Sequence, residues 1–86
     1  MKIMETEIGK ISHFFNKVSV AVLALTGSLS VGDRIHFVGK RTDFSQIVES
    51  LQVNHENLVT VSGGAEVGLK VDQTVREGDI VYRVNN

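Results

Sequence analysis

Arg34, Lys40 and Arg41 are the one basic concentration in this chain, and Phe37 and Phe44 stand beside them. Guanidinium and ammonium groups donate hydrogen bonds to phosphate or carboxylate, and aromatic rings offer flat faces on which a base or an apolar side chain can stack. Thr42 and Asp43 add hydrogen-bonding capacity, so the segment 39–44 reads as the contact surface if the chain has one. The candidate contact set is therefore Arg34, Lys40, Arg41, Thr42 and Phe44. Asp33 and Asp43 partly neutralise the patch. In the alternative reading Phe44 folds under the end of the domain as a plug, and Lys40 and Arg41 keep a loop in solvent.

Other chemistry finds less purchase. Gly9-Lys10 and Gly39-Lys40 lack the upstream glycine of a phosphate-binding loop and are followed by Ile11 and Arg41 rather than Ser or Thr, which excludes nucleotide hydrolysis and leaves no nucleotide site. His13, His36 and His55 have no histidine partner two or four residues away, so no metal or cofactor site is expected. Cysteine is absent, which removes disulfides, thiolate metal sites and cysteine nucleophiles together. Serines, histidines and aspartates are present without a strained nucleophile turn, so the chain is not expected to be an enzyme. The Gly-Asp pairs carry one carboxylate each, too few for calcium.

Composition sets the frame. The 86 residues are 42% hydrophobic and 22% charged, with a net charge of −1. That is one domain, 1–86 with its core at about 6–84, and it has no global field to draw in a polyanion. The longest apolar run, Val20 to Leu25, is far short of the roughly 20 residues that span a bilayer. No signal-peptide pattern is visible at the N-terminus, so the expectation is a cytoplasmic protein without membrane contact.

The elements that must position these residues are strands. Ser28 to Val38 recurs as Thr74 to Val84, each copy with a Gly-Asp pair (Gly32-Asp33 and Gly78-Asp79) followed by a β-branched and aromatic run. Glycine takes positive φ freely and aspartate can bond nearby backbone N–H groups, so both pairs read as structural turns that launch strands. Residues 1–5 carry no pattern and read as a loose end or as the approach to the first strand. Thr6 to Phe15 reads as extended, with Gly9 a candidate bulge that turns Ile11, His13 and Phe15 inward after Ile8. Lys17 to Leu25 alternates, with Val18, Val20 and Val22 taken as the inward set. Ile35 and Phe37 share a face of the next strand, and 39–43 reads as a polar loop.

Residues 44–53 fit either a capped helix or a strand. Residues 54–57 read as a turn, Leu58 to Val61 as a short strand, and Val67, Leu69 and Val71 as the inward set of another. Six or seven strands at regular spacing make an all-β domain, a small closed antiparallel barrel.

Gly9-x-Ile11, the strand from Val18 to Leu25, Leu29-x-Val31-Gly32-Asp33-x-Ile35, Val67 to Val71 and Arg76-x-Gly78-Asp79-x-Val81 together resemble the second, β-barrel domain of translational GTPases. Ser12 to Phe15, Thr42 to Gln46 with Val48-Glu49-Ser50, and Val81-Tyr82 more closely resemble stand-alone translation elongation factor-like proteins. The C-terminal barrel attached to U32-type peptidases is similar at the same places. The chain departs from the factors at Gly64-Ala65, where they commonly carry Gly-Asp. The resemblance implies that 44–53 is a strand. It also implies a non-catalytic binding module that meets RNA or a protein of the translation apparatus or, like the peptidase-attached barrel, an accessory module that docks on another protein.

Overall fold

The Gly-Asp corners organise the fold as the sequence suggests. At the first, Asp33 N–H donates to the Ser30 carbonyl at 3.1 Å, and the Asp33 carboxylate accepts from the Ser30 N–H at 2.9 Å. At the second, Asp79 and Arg76 repeat both bonds at 3.0 and 2.9 Å. Gly32 and Gly78 take φ of 96° and 92°, where an L side chain is strained. Each corner therefore satisfies the donors of its own turn and releases an extended chain.

The computed structural model describes residues 4–85, and within them the chain is all β, with no helix. The strands are β1 (Met4–Phe15), β2 (Val20–Leu25), β3 (Leu29–Ser30), β4 (Arg34–Gly39), β5 (Thr42–Ile47), β6 (Leu51–Val53), β7 (Glu56–Leu58), β8 (Thr60–Val61), β9 (Glu66–Lys70) and β10 (Ile80–Asn85). Eight form one antiparallel sheet in the order β5-β4-β10-β1-β2-β9-β6-β7, and β3 pairs with β8 apart from it. Residues 44–53 are strand, as the resemblance implied, interrupted at 48–50. The radius of gyration of 11.7 Å matches the roughly 12 Å expected of one packed domain of this length.

Closure differs from expectation. The end strands β5 and β7 do not pair with each other, so no continuous ladder closes the sheet into a barrel. The gaps are bridged by irregular backbone and one side chain. Gly32 N–H donates to the Val48 carbonyl and Val48 N–H to that of Asp33, both at 2.8 Å. The buried Gln46 amide donates to the Lys70 carbonyl at 2.9 Å and accepts from the Asp72 N–H at 2.7 Å, which ties β5 to the end of β9.

The core is formed by Ile8, Ile11, Leu23, Leu25, Leu29, Ile35, Phe37, Leu51, Val67, Leu69 and Val81, with Ala21, Val48, Val61, Val71 and Val75. Ile35, Phe37, Val67, Leu69 and Val71 point inward as the alternation predicts. β2 does not follow it: Ala21, Leu23 and Leu25 are inside, Val20 and Val22 are half-buried on the outer face, and Val18 is exposed before the strand begins. Either phase of β2 is apolar, so alternation cannot rank them. β1 departs from expectation through two bulges, where one extra residue shifts the facing pattern. Ile8 is extra against β10, and Ser12 is extra against β2. After the second bulge Phe14 packs toward the core while His13 and Phe15 turn outward, contrary to the expected phase.

Three further differences concern boundaries. Met4 and Glu5 already belong to β1, and the remainder of the expected loose end lies outside the described residues, as does Asn86. The expected strand 58–61 is divided between β7 and β8. Asn54 and His55, with φ of 51° and 66°, form a two-residue β6–β7 hairpin of the kind whose twist suits the strands.

Candidate functional site

β4 and β5 pair from Arg34↔Ile47 to Gly39↔Thr42, leaving Lys40 and Arg41 as a two-residue turn rather than the tip of a long polar loop. Both are exposed. Their turn lies against the second Gly-Asp corner, and a shallow cleft between them is lined by Gly39, Lys40, Arg76, Glu77, Gly78 and Asp79. A Cβ on Gly39 would overlap the Asp79 carboxylate, so the bare backbone of β4 is what lets the corner approach. Asp79 itself is only 5% exposed and is committed to the Arg76 N–H.

The sequence candidates separate into three groups. Lys40 and Arg41 stay together at one end of β4. Arg34 is exposed at the other end, five residues or about 17 Å away along an extended strand, so it does not join them. Thr42 is buried, and among the described residues its Oγ1 has no hydrogen-bond partner, so it offers no contact to a ligand. Phe44 is half-buried in β5, packs against the core and stacks on the directly opposite Phe37 with centroids 4.8 Å apart and planes 24° from parallel. Gly32, Asp33, Gly78 and Asp79 occupy their turns.

Arg76 was not legible as a companion of Lys40, because only the pairing of β10 with β4 brings the second corner beside the hairpin. The cleft carries Lys40 and Arg76 against Glu77. Such alternation suits the amides and mixed charges of a protein surface better than the unbroken negative track of a nucleic-acid backbone.

A second cluster was also invisible in the sequence. His36 on β4 bonds Glu5 of β1 through Nδ1 at 2.9 Å and Asp43 of β5 through Nε2 at 2.5 Å. The Asp43 carboxylate foremost holds the His36 pKa above its ordinary value; partial burial opposes this, and Glu5 adds to it. Asp43 reaches His36 from the paired strand β5, seven residues on, whereas Glu5 lies 31 residues away and reaches it only because β10 sits between β1 and β4.

Against this geometry the comparisons with known proteins can be set. No protein-family model matches the chain. Over 82 residues it is 42% identical to an uncharacterized protease of Methanocaldococcus jannaschii, a match covering 94% of the chain and 20% of that protein. The chain thus spans one fifth of that relative's length. The crystal structure of the C-terminal domain of a Geobacillus thermoleovorans U32 peptidase superposes with a TM-score of 0.87 at 18% identity, covering 94% of this chain and 93% of that one. Its selenomethionine variant gives 0.83 at 17% identity, over 87% and 95%. The fold is shared with a U32 peptidase's C-terminal domain. Of the expected resemblances, these matches support the one to the peptidase-attached domain and lend none to the translation-factor identification.

Proposed function

We propose that the chain is a non-catalytic accessory domain that docks on the body of a U32-type peptidase. The observation that carries this reading is the end-to-end correspondence with a peptidase's C-terminal domain, joined to a 42%-identical stretch that makes up one fifth of a protein named as a protease. The cleft of Lys40, Arg76 and Glu77 supplies mixed charge for a protein surface, and in this reading the chain contributes no reacting group and needs no cofactor. The strands act as a barrel completed by irregular backbone and Gln46 rather than by a ladder, which leaves a rigid scaffold whose surface is free for contact. Recognition of RNA or of a translation-apparatus protein is the second reading, and it rests on Lys40 and Arg41 alone.

The test is calorimetric titration of the chain into the Methanocaldococcus jannaschii relative from which the matching fifth has been removed, at two ionic strengths. A parallel titration uses a single-stranded RNA. Saturable binding to the protease body that weakens only moderately with salt, and no binding of RNA, is the expected result. RNA binding that weakens steeply with salt, with no binding to the body, would overturn the proposal.

A further inference from the structure

The outward face of β1, β2 and β9 is arranged in rows by strand register. Lys10, Ala24 and Glu66 lie abreast in one row. His13, Val22 and Gly68 form the next, which continues to Gln52 on β6, and Phe15, Val20 and Lys70 form the third. The centre is apolar: Val20, Val22 and Ala24 are half-buried, and Phe15 and Val18 at one end are 49% and 57% exposed. Gly68 leaves the floor bare, since a Cβ there would meet nothing nearer than the Gln52 carbonyl oxygen at 3.8 Å.

Charges bracket this centre in opposite sense. Glu66 and Lys70 flank Gly68 two residues to either side on β9, and among the described residues Lys70 has no ion pair while Glu66 accepts only from Ser12 Oγ, at 3.2 Å. Consider a second copy turned by half a revolution about an axis parallel to the sheet, midway between the two copies and running across the strands at Gly68. Glu66 then faces Lys70 of the copy and Lys70 faces its Glu66. Ala24 meets Val20, Gly68 meets Gly68, and the Lys10 ammonium comes over the Phe15 ring, a favourable cation–π placement.

We propose that this face is a homodimer interface, with β9 stacked antiparallel on β9 and reciprocal Glu66–Lys70 pairs. The occupant is a second copy because the face complements itself in charge under one two-fold rotation. Sheets stack about 10 Å apart, and the bare Gly68 lets the two apolar centres meet at that spacing. Three strands across and five residues along give a patch of about 14 by 17 Å, enlarged by the turn carrying Val18. That is about 240 Å² on each copy and about 480 Å² in total before the turn is added, well below the roughly 1,200 Å² of a stable interface, so the dimer is weak and forms reversibly at high concentration.

Sedimentation of the full chain over a wide concentration range tests this, using wild type, Lys70→Glu, Glu66→Lys, the double reversal and Arg41→Glu, a charge change in the exposed β4–β5 turn away from this face. Circular dichroism confirms that each variant folds. Each single reversal opposes like charges at both reciprocal pairs and is expected to raise the monomer–dimer midpoint about tenfold. The double reversal restores it, an equimolar mixture of the two single variants dimerises better than either alone, and Arg41→Glu behaves as wild type. A wild-type chain that stays monomeric throughout would overturn the proposal, as would a dimer indifferent to the single reversals or a double reversal no better than its parents.

Discussion

Gly39 lies directly under the Asp79 carboxylate, so close that a Cβ at position 39 would overlap Oδ1. The carboxylate cannot simply retreat, because it is nearly buried and accepts the Arg76 N–H at 2.9 Å. One glycine therefore joins the β4–β5 hairpin to the second Gly-Asp corner and sets the width of the cleft between them.

Gly39→Ala should accordingly destabilise the domain by about 1–3 kcal/mol, the usual range for overpacking. Asp79→Ala should cost about 1–3 kcal/mol by leaving the Arg76 N–H without its acceptor. The double variant should cost clearly less than the sum, because the alanine at 39 no longer has a carboxylate to displace. Denaturant unfolding of the three variants measures this, and strict additivity would contradict the contact.

The pH dependence of stability should report His36. Both ring nitrogens face carboxylates, so the doubly protonated ring can donate to Asp43 and Glu5 together, whereas the neutral ring has one donor. The folded-state pKa is raised, chiefly by Asp43, so the stabilisation is complete below the unfolded value near 6.5 and is lost as pH rises through the folded value. The melting-temperature gap between wild type and His36→Gln should be widest near pH 6 and narrow toward pH 9. A ring titrating at or below its ordinary value by NMR would contradict this.

The hairpin separates contact from support. Lys40→Ala with Arg41→Ala should leave the melting temperature almost unchanged, since exposed charges in a turn contribute little. Phe44→Ala should instead cost about 1–3 kcal/mol, because its ring stacks on Phe37 and packs against the core. Thermal unfolding distinguishes them, and a Phe44→Ala variant as stable as wild type would remove the plug.

How much of this was legible depended on whether polar residues marked one face. In β9, Glu66 and Lys70 flank Val67 and Leu69, so the inward set could be read directly, and it is the one observed. The two Gly-Asp corners were legible because positive φ and a bonding carboxylate leave a signature in residue type. The Lys40-Arg41 turn carries no glycine or asparagine, so nothing local marked it as a two-residue hairpin. Gln46 looked like part of a helix cap; only the approach of β9 reveals it as the bridge across an open seam. The cleft and the His36 cluster depend on β10 lying between β1 and β4, a long-range pairing that residue patterns do not encode.

β2 shows that limit most clearly and gives the sharpest test. Its two phases, Val20-Val22 and Ala21-Leu23-Leu25, are both apolar, and a slip of one residue would exchange them completely. Register with Ile11 on β1 and with Val67 and Leu69 on β9 selects the second phase, and the Ser12 bulge brings Phe14 of β1 beside Ala21 on that face; the Ser12 hydroxyl shares its one proton between the Val22 carbonyl and the Glu66 carboxylate, each at 3.2 Å. Leu23 is fully buried while Val22 sits half-covered beside Gly68. Leu23→Ala should therefore cost about 2–5 kcal/mol through lost burial and a residual cavity, and Val22→Ala less than about 1 kcal/mol. The contrast cannot arise from strand propensity, because replacing the β-branched valine should be the costlier change on that ground alone. Chemical denaturation of the two variants measures the difference, and a larger loss for Val22→Ala would invert β2 and with it the outer face assigned to Val20, Val22 and Ala24.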